Sequence, residues 1–170
     1  MKRIVSIYGL IIGVILCANM FVMVNLMYSD TSFKGHNIVG YAAMVVMFSL
    51  IFFGVRNYRN KYLDGYISFG KALKTGLLIA LLSSTVYVIV WLGYYYLFVP
   101  DFIDVYTSYA LKECPPTDLP AKKAQLANFK EMYKNPLFIV FITYTEVLPV
   151  GLAVVLVSAL ILKKKRAVVK

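Results

Sequence analysis

Pro136–Leu162 reads PLFIVFITYTEVLPVGLAVVLVSALIL, 27 residues whose single formal charge is Glu146. At about 1.5 Å per residue, such a stretch crosses the roughly 30 Å hydrocarbon layer of a bilayer as one helix. Glu146 then lies about 15 Å from the Pro136 end, near mid-depth. A carboxylate there costs roughly 2.5–3.5 kcal/mol to insert. The neutral form is expected, because hydrocarbon penalises charge. Three residues on, Pro149 has no amide hydrogen, which frees the carbonyl of Thr145 from its helical bond. Thr143 lies one turn before Glu146 on nearly the same face. Glu146, Pro149, Thr145 and Thr143 are therefore the candidate intramembrane site.

Two readings fit it. In one, the acid bonds an Asn, Ser or Tyr of a neighbouring helix and locks the helices together. In the other, it is an exchangeable proton or cation site, with a bend and an open carbonyl at Pro149.

Three further stretches lack formal charge, at residues 4–29, 36–55 and 75–100. Hydrophobic residues make up 61% of the 170-residue chain, far above a soluble domain. We expect one all-α membrane domain over 1–170. Its four transmembrane helices, at about 4–28, 37–55, 73–99 and 136–162, should form a bundle. Backbone groups in lipid must be satisfied within the segment, which makes each span a helix.

The charges orient these spans. Lys2 and Arg3 precede the first. Arg56, Arg59, Lys61, Lys71 and Lys74 lie between the second and third, against Asp64 alone. Lys163, Lys164, Lys165, Arg166 and Lys170 follow the fourth. The remaining connections are balanced, with Asp30 against Lys34 in one and five acids against five bases at 101–135 in the other. The positive-inside rule places both termini in the cytoplasm. The net charge of +10 is thus a topology signal. No nucleic-acid partner is expected, since the basic residues hug span ends.

The first span resembles a signal peptide in its basic start, but it is long and no small-x-small cleavage site follows. Leu16 is bulky where a lipoprotein box ahead of Cys17 needs a small residue. Retention as a membrane helix is the expectation. Cys17 and Cys114 fall in different regions, and neither has metal-ligand spacing. His36 reads as an interfacial polar residue. Neither metal nor cofactor is expected. Phosphate-binding loops, dinucleotide-binding glycines and nucleophile elbows are absent. Asp101 and Asp104 read as a solvated helix start. The chain is therefore expected not to be an enzyme.

Small residues recur every four positions at Gly9, Gly13 and Cys17, and again at Gly76, Ala80 and Ser84. Such ridges let helix backbones approach closely, either within the bundle or between two copies. Asn19, Asn25, Ser49, Ser83 and Thr85 should bond to neighbouring helices or their own backbone. Trp91, Tyr94, Tyr95 and Tyr96 read as an aromatic belt with Tyr28, the alternative being a ligand-stacking cluster. Gly65 marks a turn and Ser68 an N-cap, after which the third span is expected to begin as a short helix near the headgroups. Pro115-Pro116 divides the long connection. Leu126, Phe129 and Tyr133 share one side of its second half. Two short amphipathic helices should lie there on the outer surface as a lid, or form a small partner-binding unit.

Two local patterns point to a family. One is Arg56-Asn57 followed by Gly65-Tyr66-Ile67-Ser68-Phe69-Gly70-Lys71-Ala72-Leu73-Lys74. The other is Glu146-Val147-Leu148-Pro149-Val150-Gly151-Leu152 before a basic tail. With four spans and a long third connection, the chain resembles the bacterial membrane-protein family called domain of unknown function 4199 over nearly its whole length. The resemblance implies a bacterial inner membrane and marks Phe69, Gly70, Glu146 and Pro149 as family-like positions. It supplies no activity.

The expected role is a non-enzymatic scaffold or accessory subunit. Its partners would be the lipid bilayer and a second copy or another membrane protein. A proton- or cation-coupled small transporter using Glu146 is the runner-up, and an enzyme acting on lipid or glycan comes third.

Overall fold

The structure is a computed structural model that describes residues 1–29, 37–112 and 114–164, with side chains from residue 40 onward in the second of these. The expectations for Asp30, Lys34, His36, Glu113, Lys165, Arg166 and Lys170 lie outside the described residues. In chain order the helices are α1 (Lys2–Ser29), α2 (Asn37–Phe48), α3 (Leu50–Tyr62), α4 (Phe69–Leu97), α5 (Phe102–Lys112), α6 (Leu119–Met132) and α7 (Pro136–Leu162). Among the described residues there is no strand beyond one isolated bridge. Four stretches of the described residues are long and apolar enough to cross a membrane: Lys2–Ser29, Gly40–Tyr62, Phe69–Leu97 and Pro136–Leu162.

Capping explains several boundaries. The Ser68 hydroxyl accepts from the Lys71 amide at the start of α4. Asn135 accepts from the Leu137 amide at 2.9 Å, ahead of Pro136 at the first helical position of α7. After α3 the chain reverses through Asp64 and Gly65, both at positive φ (51° and 82°). The Gly65 amide there bonds the Arg59 carbonyl.

Two expectations need correction. The second span is broken at Ser49 and runs on to Tyr62, well past residue 55. The Ser49 hydroxyl donates to the Val46 carbonyl at 2.6 Å, and its amide is shared between Val45 and Val46. Such back-bonding competes with the helical ladder. No separate surface helix precedes the third span either. Phe69 opens one continuous helix, because Ala72, Thr75 and Gly76 are buried on one side while Lys71 and Lys74 face out.

Helix α4 is central, packed between α1 and α7, and α3 lies against both α4 and α7. The small residues sit where these helices meet. A methyl added at Gly9 would lie 2.7 Å from Leu82, and one at Gly13 2.9 Å from Val86, so the α1 ridge is filled by α4. Gly76 faces Val155 and Ile51, and Gly151 faces Phe48 and Ala80, which builds the α4–α7 seam. Cys17 and Cys114 are both free.

Polar residues inside the spans mostly bond their own helix. Asn25 donates to Phe21, Ser83 to Ile79 and Ala80, and Thr85 to Leu81. The Thr85 hydroxyl also meets the Tyr144 hydroxyl at 2.8 Å, joining α4 to α7. Ser84 is fully buried, and its hydroxyl has no hydrogen-bond partner among the described residues. Ser84→Ala should therefore leave stability unchanged or raise it by about 1 kcal/mol. Unfolding in mild detergent measures this, and a clear loss would refute it.

At one end of the molecule the backbones of Ile67 and Lys164 exchange two hydrogen bonds, 3.0 and 2.8 Å. Arg59 donates to the Leu162 carbonyl beside them. The segment after α3 and the end of α7 thus share one end. At the other end the Tyr28 hydroxyl donates to Asp101, and Lys130 pairs with Asp104, fastening α6 to α5. Trp91 departs from the aromatic belt. It is 6% exposed and packs inward against Phe102, while Tyr96 keeps an open surface.

Candidate functional site

A cavity of about 310 Å³ lies in the half of the molecule covered by α5 and α6. Side chains from α1, α2, α4, α5, α6 and α7 line it, with Tyr133 just past α6. Its α1 wall holds Asn19 and Met20, and its α2 wall Gly40 and Met44. Glu146 and Thr143 face it from α7.

The four residues of the expected site do not all meet here. Glu146 keeps an exposed surface that borders the cavity, and no hydrogen bond joins its carboxyl to a described residue. Thr143 is buried beside it, its hydroxyl donating to the Ile139 carbonyl at 2.7 Å. Thr145 and Pro149 are exposed and do not line the cavity. A step of one residue turns about 100° round a helix, which carries Thr145 off the Glu146 face. The Thr145 hydroxyl donates to the Ile142 carbonyl instead. Helix α7 continues through Pro149 without interruption. Among the described residues, Glu146 is the one acid that lines the cavity, and no three Asp, Glu, His or Cys side chains gather where an ion would be held.

Apart from the methionines and other apolar side chains of α1, α2 and α7, the lining carries six aromatic rings, five of which form a closed circuit. Trp91 meets Phe102 edge to face at 4.8 Å, and Phe102 stacks on Tyr106 at 6.2 Å. Tyr106 adjoins Phe129 at 6.4 Å, and Phe129 adjoins Tyr133 at 5.3 Å. The Trp91 indole N–H then donates to the Tyr133 hydroxyl at 3.0 Å, which closes the loop. Tyr87 adds a sixth ring, one turn of α4 from Trp91.

Burial pushes the phenols of Tyr106 and Tyr133 above their ordinary value. At Tyr133 the Trp91 hydrogen bond pulls the other way, and the nearby Glu146 charge adds to the rise at both. Both phenols therefore stay neutral at ordinary pH and keep a proton to donate.

Reading the sequence missed this arrangement. Phe102 and Tyr106 stand four apart on one side of α5, as do Phe129 near the end of α6 and Tyr133 at its cap, and that spacing was the available signal. Nothing in the spacing pairs them with Trp91.

A family model described as "Protein of unknown function (DUF4199)" matches residues 7–164. No curated protein and no solved structure matches the chain.

Proposed function

Since the chain belongs to the DUF4199 family, whose description assigns no activity, we propose from the site itself that it is a small, non-enzymatic membrane protein that admits a proton or cation to the Glu146 cavity. One observation carries this reading: a single carboxyl, with no hydrogen bond to a described residue, opens into a space inside the apolar spans. Ionisable groups at that depth mark ion or proton sites. A helix-locking acid would need a partner, and none of the described residues supplies one.

The arrangement we propose is a four-helix bundle in a bacterial inner membrane. The end carrying Ile67 and Lys164 faces the cytoplasm, and α5 and α6 cover the outer face. It is supported by the meeting of two basic segments at one end, as the positive-inside rule requires. The accessory-subunit reading has weaker support, because α4 already occupies the Gly9–Gly13 ridge that a second copy would use.

Vesicles containing a pH-sensitive dye test the proposal. The intact protein should accelerate proton entry over empty vesicles under an imposed potential, and Glu146→Gln should remove most of that gain. Equal flux from both proteins, or none from either, would end the transport reading.

A further inference from the structure

The proposal above leaves open which cation the cavity takes. We propose that it binds a small organic monocation of the alkylammonium or quaternary ammonium class, held by the Glu146 carboxylate inside the aromatic circuit. This rests on the cation-site reading.

The donor set argues against a bare metal ion. Hard cations want several oxygen ligands at once. Among the described residues Glu146 is the one acid lining the cavity, and the other oxygens there, on Asn19, Thr143 and the tyrosines, are neutral. The aromatic lining suits an organic cation instead. Rings attract a cation placed over their faces, and more strongly where water is excluded. The planes of Trp91, Phe102, Tyr106, Phe129 and Tyr133 turn by 80°, 19°, 50° and 47° from each ring to the next. They are not one flat stack, and all five rings line the cavity. The Trp91–Tyr133 hydrogen bond holds two of them in place.

Charge and size narrow the class further. One carboxylate balances one positive charge, while a dication would leave a buried charge unpaired. An anion would meet Glu146 with like sign. A volume of about 310 Å³ stands at the lower end of small-molecule pockets, which run from about 300 to 1,000 Å³. The methyl-bearing head of an ammonium ion satisfies both the greasy walls and the acid.

Trp91 is the chain's one tryptophan and lines the cavity, so its fluorescence reports on occupancy. The full chain in mild detergent is titrated with choline and with 3,3-dimethylbutan-1-ol, the same shape with carbon in place of charged nitrogen. Choline should shift the emission saturably and bind at least about tenfold more tightly than the alcohol, as a desolvated charge beside aromatic faces predicts. Glu146→Gln should weaken choline by a similar factor and leave the alcohol unaffected. Tyr106→Leu, whose ring is partly open and accepts change, should weaken choline roughly fivefold. Circular dichroism checks that both variants fold.

Equal binding of choline and alcohol would overturn the inference. So would no saturable response to choline or to the bulkier benzyltrimethylammonium, or choline binding untouched by both substitutions. The two proposals fail separately. Proton flux that needs Glu146 without choline binding removes only this one. Choline binding without flux keeps the site and removes transport.

Discussion

Gly76→Leu should destabilise the protein by about 3 kcal/mol or more, while Gly93→Leu on the same helix should change little. The contrast follows from what surrounds each position. A methyl at Gly76 would already lie 2.9 Å from one Val155 methyl, 3.2 Å from the other and 3.4 Å from Ile51. Val155 is β-branched and stiff, and it is 1% exposed, so it has no open space to move into. Overpacking a filled site typically costs 1–3 kcal/mol for added methylenes, and a leucine adds several carbons at a point of helix contact. Nothing lies within 4 Å of a methyl at Gly93. There the better helix propensity of leucine, worth up to about 1 kcal/mol over glycine, is free to act. Unfolding by heat or by sodium dodecyl sulfate, followed by circular dichroism, compares the pair. Equal losses at both positions would mean that the α4–α7 seam does not depend on close approach.

The second large effect is expected at Trp91. Trp91→Ala should cost about 3–5 kcal/mol, as truncating a buried large aromatic usually does. The loss should be local. Trp91 belongs to a cluster with Val99, Ile103, Tyr133 and Ile139, separate from the core built on Ile12, Ile51, Ile79 and Val155. Removing its ring takes the edge-to-face contact from Phe102 and the donor from the Tyr133 hydroxyl. Hydrogen exchange should therefore quicken across residues 102–133 and stay nearly unchanged in the first half of α4. Trp91→Phe, which keeps a ring but loses the N–H, should fall between. Uniform quickening along the whole chain, or none in 102–133, would show that the ring does not hold the cover down.

These two positions also mark what reading the sequence reaches. Gly76, Ala80 and Ser84 stood out because four-residue spacing of small side chains is a property of one helix. The four spans stood out for the same reason, since hydropathy accumulates residue by residue along a single segment. The Ser68 cap, the Gly65 turn and the two short helices were likewise local. The break at Ser49 was not legible, because apolar residues flank it on both sides and a lone serine barely changes the hydropathy. The start of α4 was misread for a related reason. Lys71 and Lys74 suggest a surface segment, yet Ala72 and Thr75 on the opposite side are fully buried. The cavity is the clearest gap. Glu146 announced itself as a charge in an apolar run, but its aromatic surroundings come from α4, α5 and α6, and only tertiary packing assembles them.

The paired backbones of Ile67 and Lys164 restrict how the molecule can move. They act as a buckle, joining the foot of α7 to the entry of α4 through two hydrogen bonds. A piston stroke of α7 along its own axis would undo the buckle. A tilt about that point would not, and its amplitude would grow with distance, largest where Asn135 starts the helix. Such a tilt is thereby directed to the far rim, where α5 and α6 rest, as a book opens furthest from its spine.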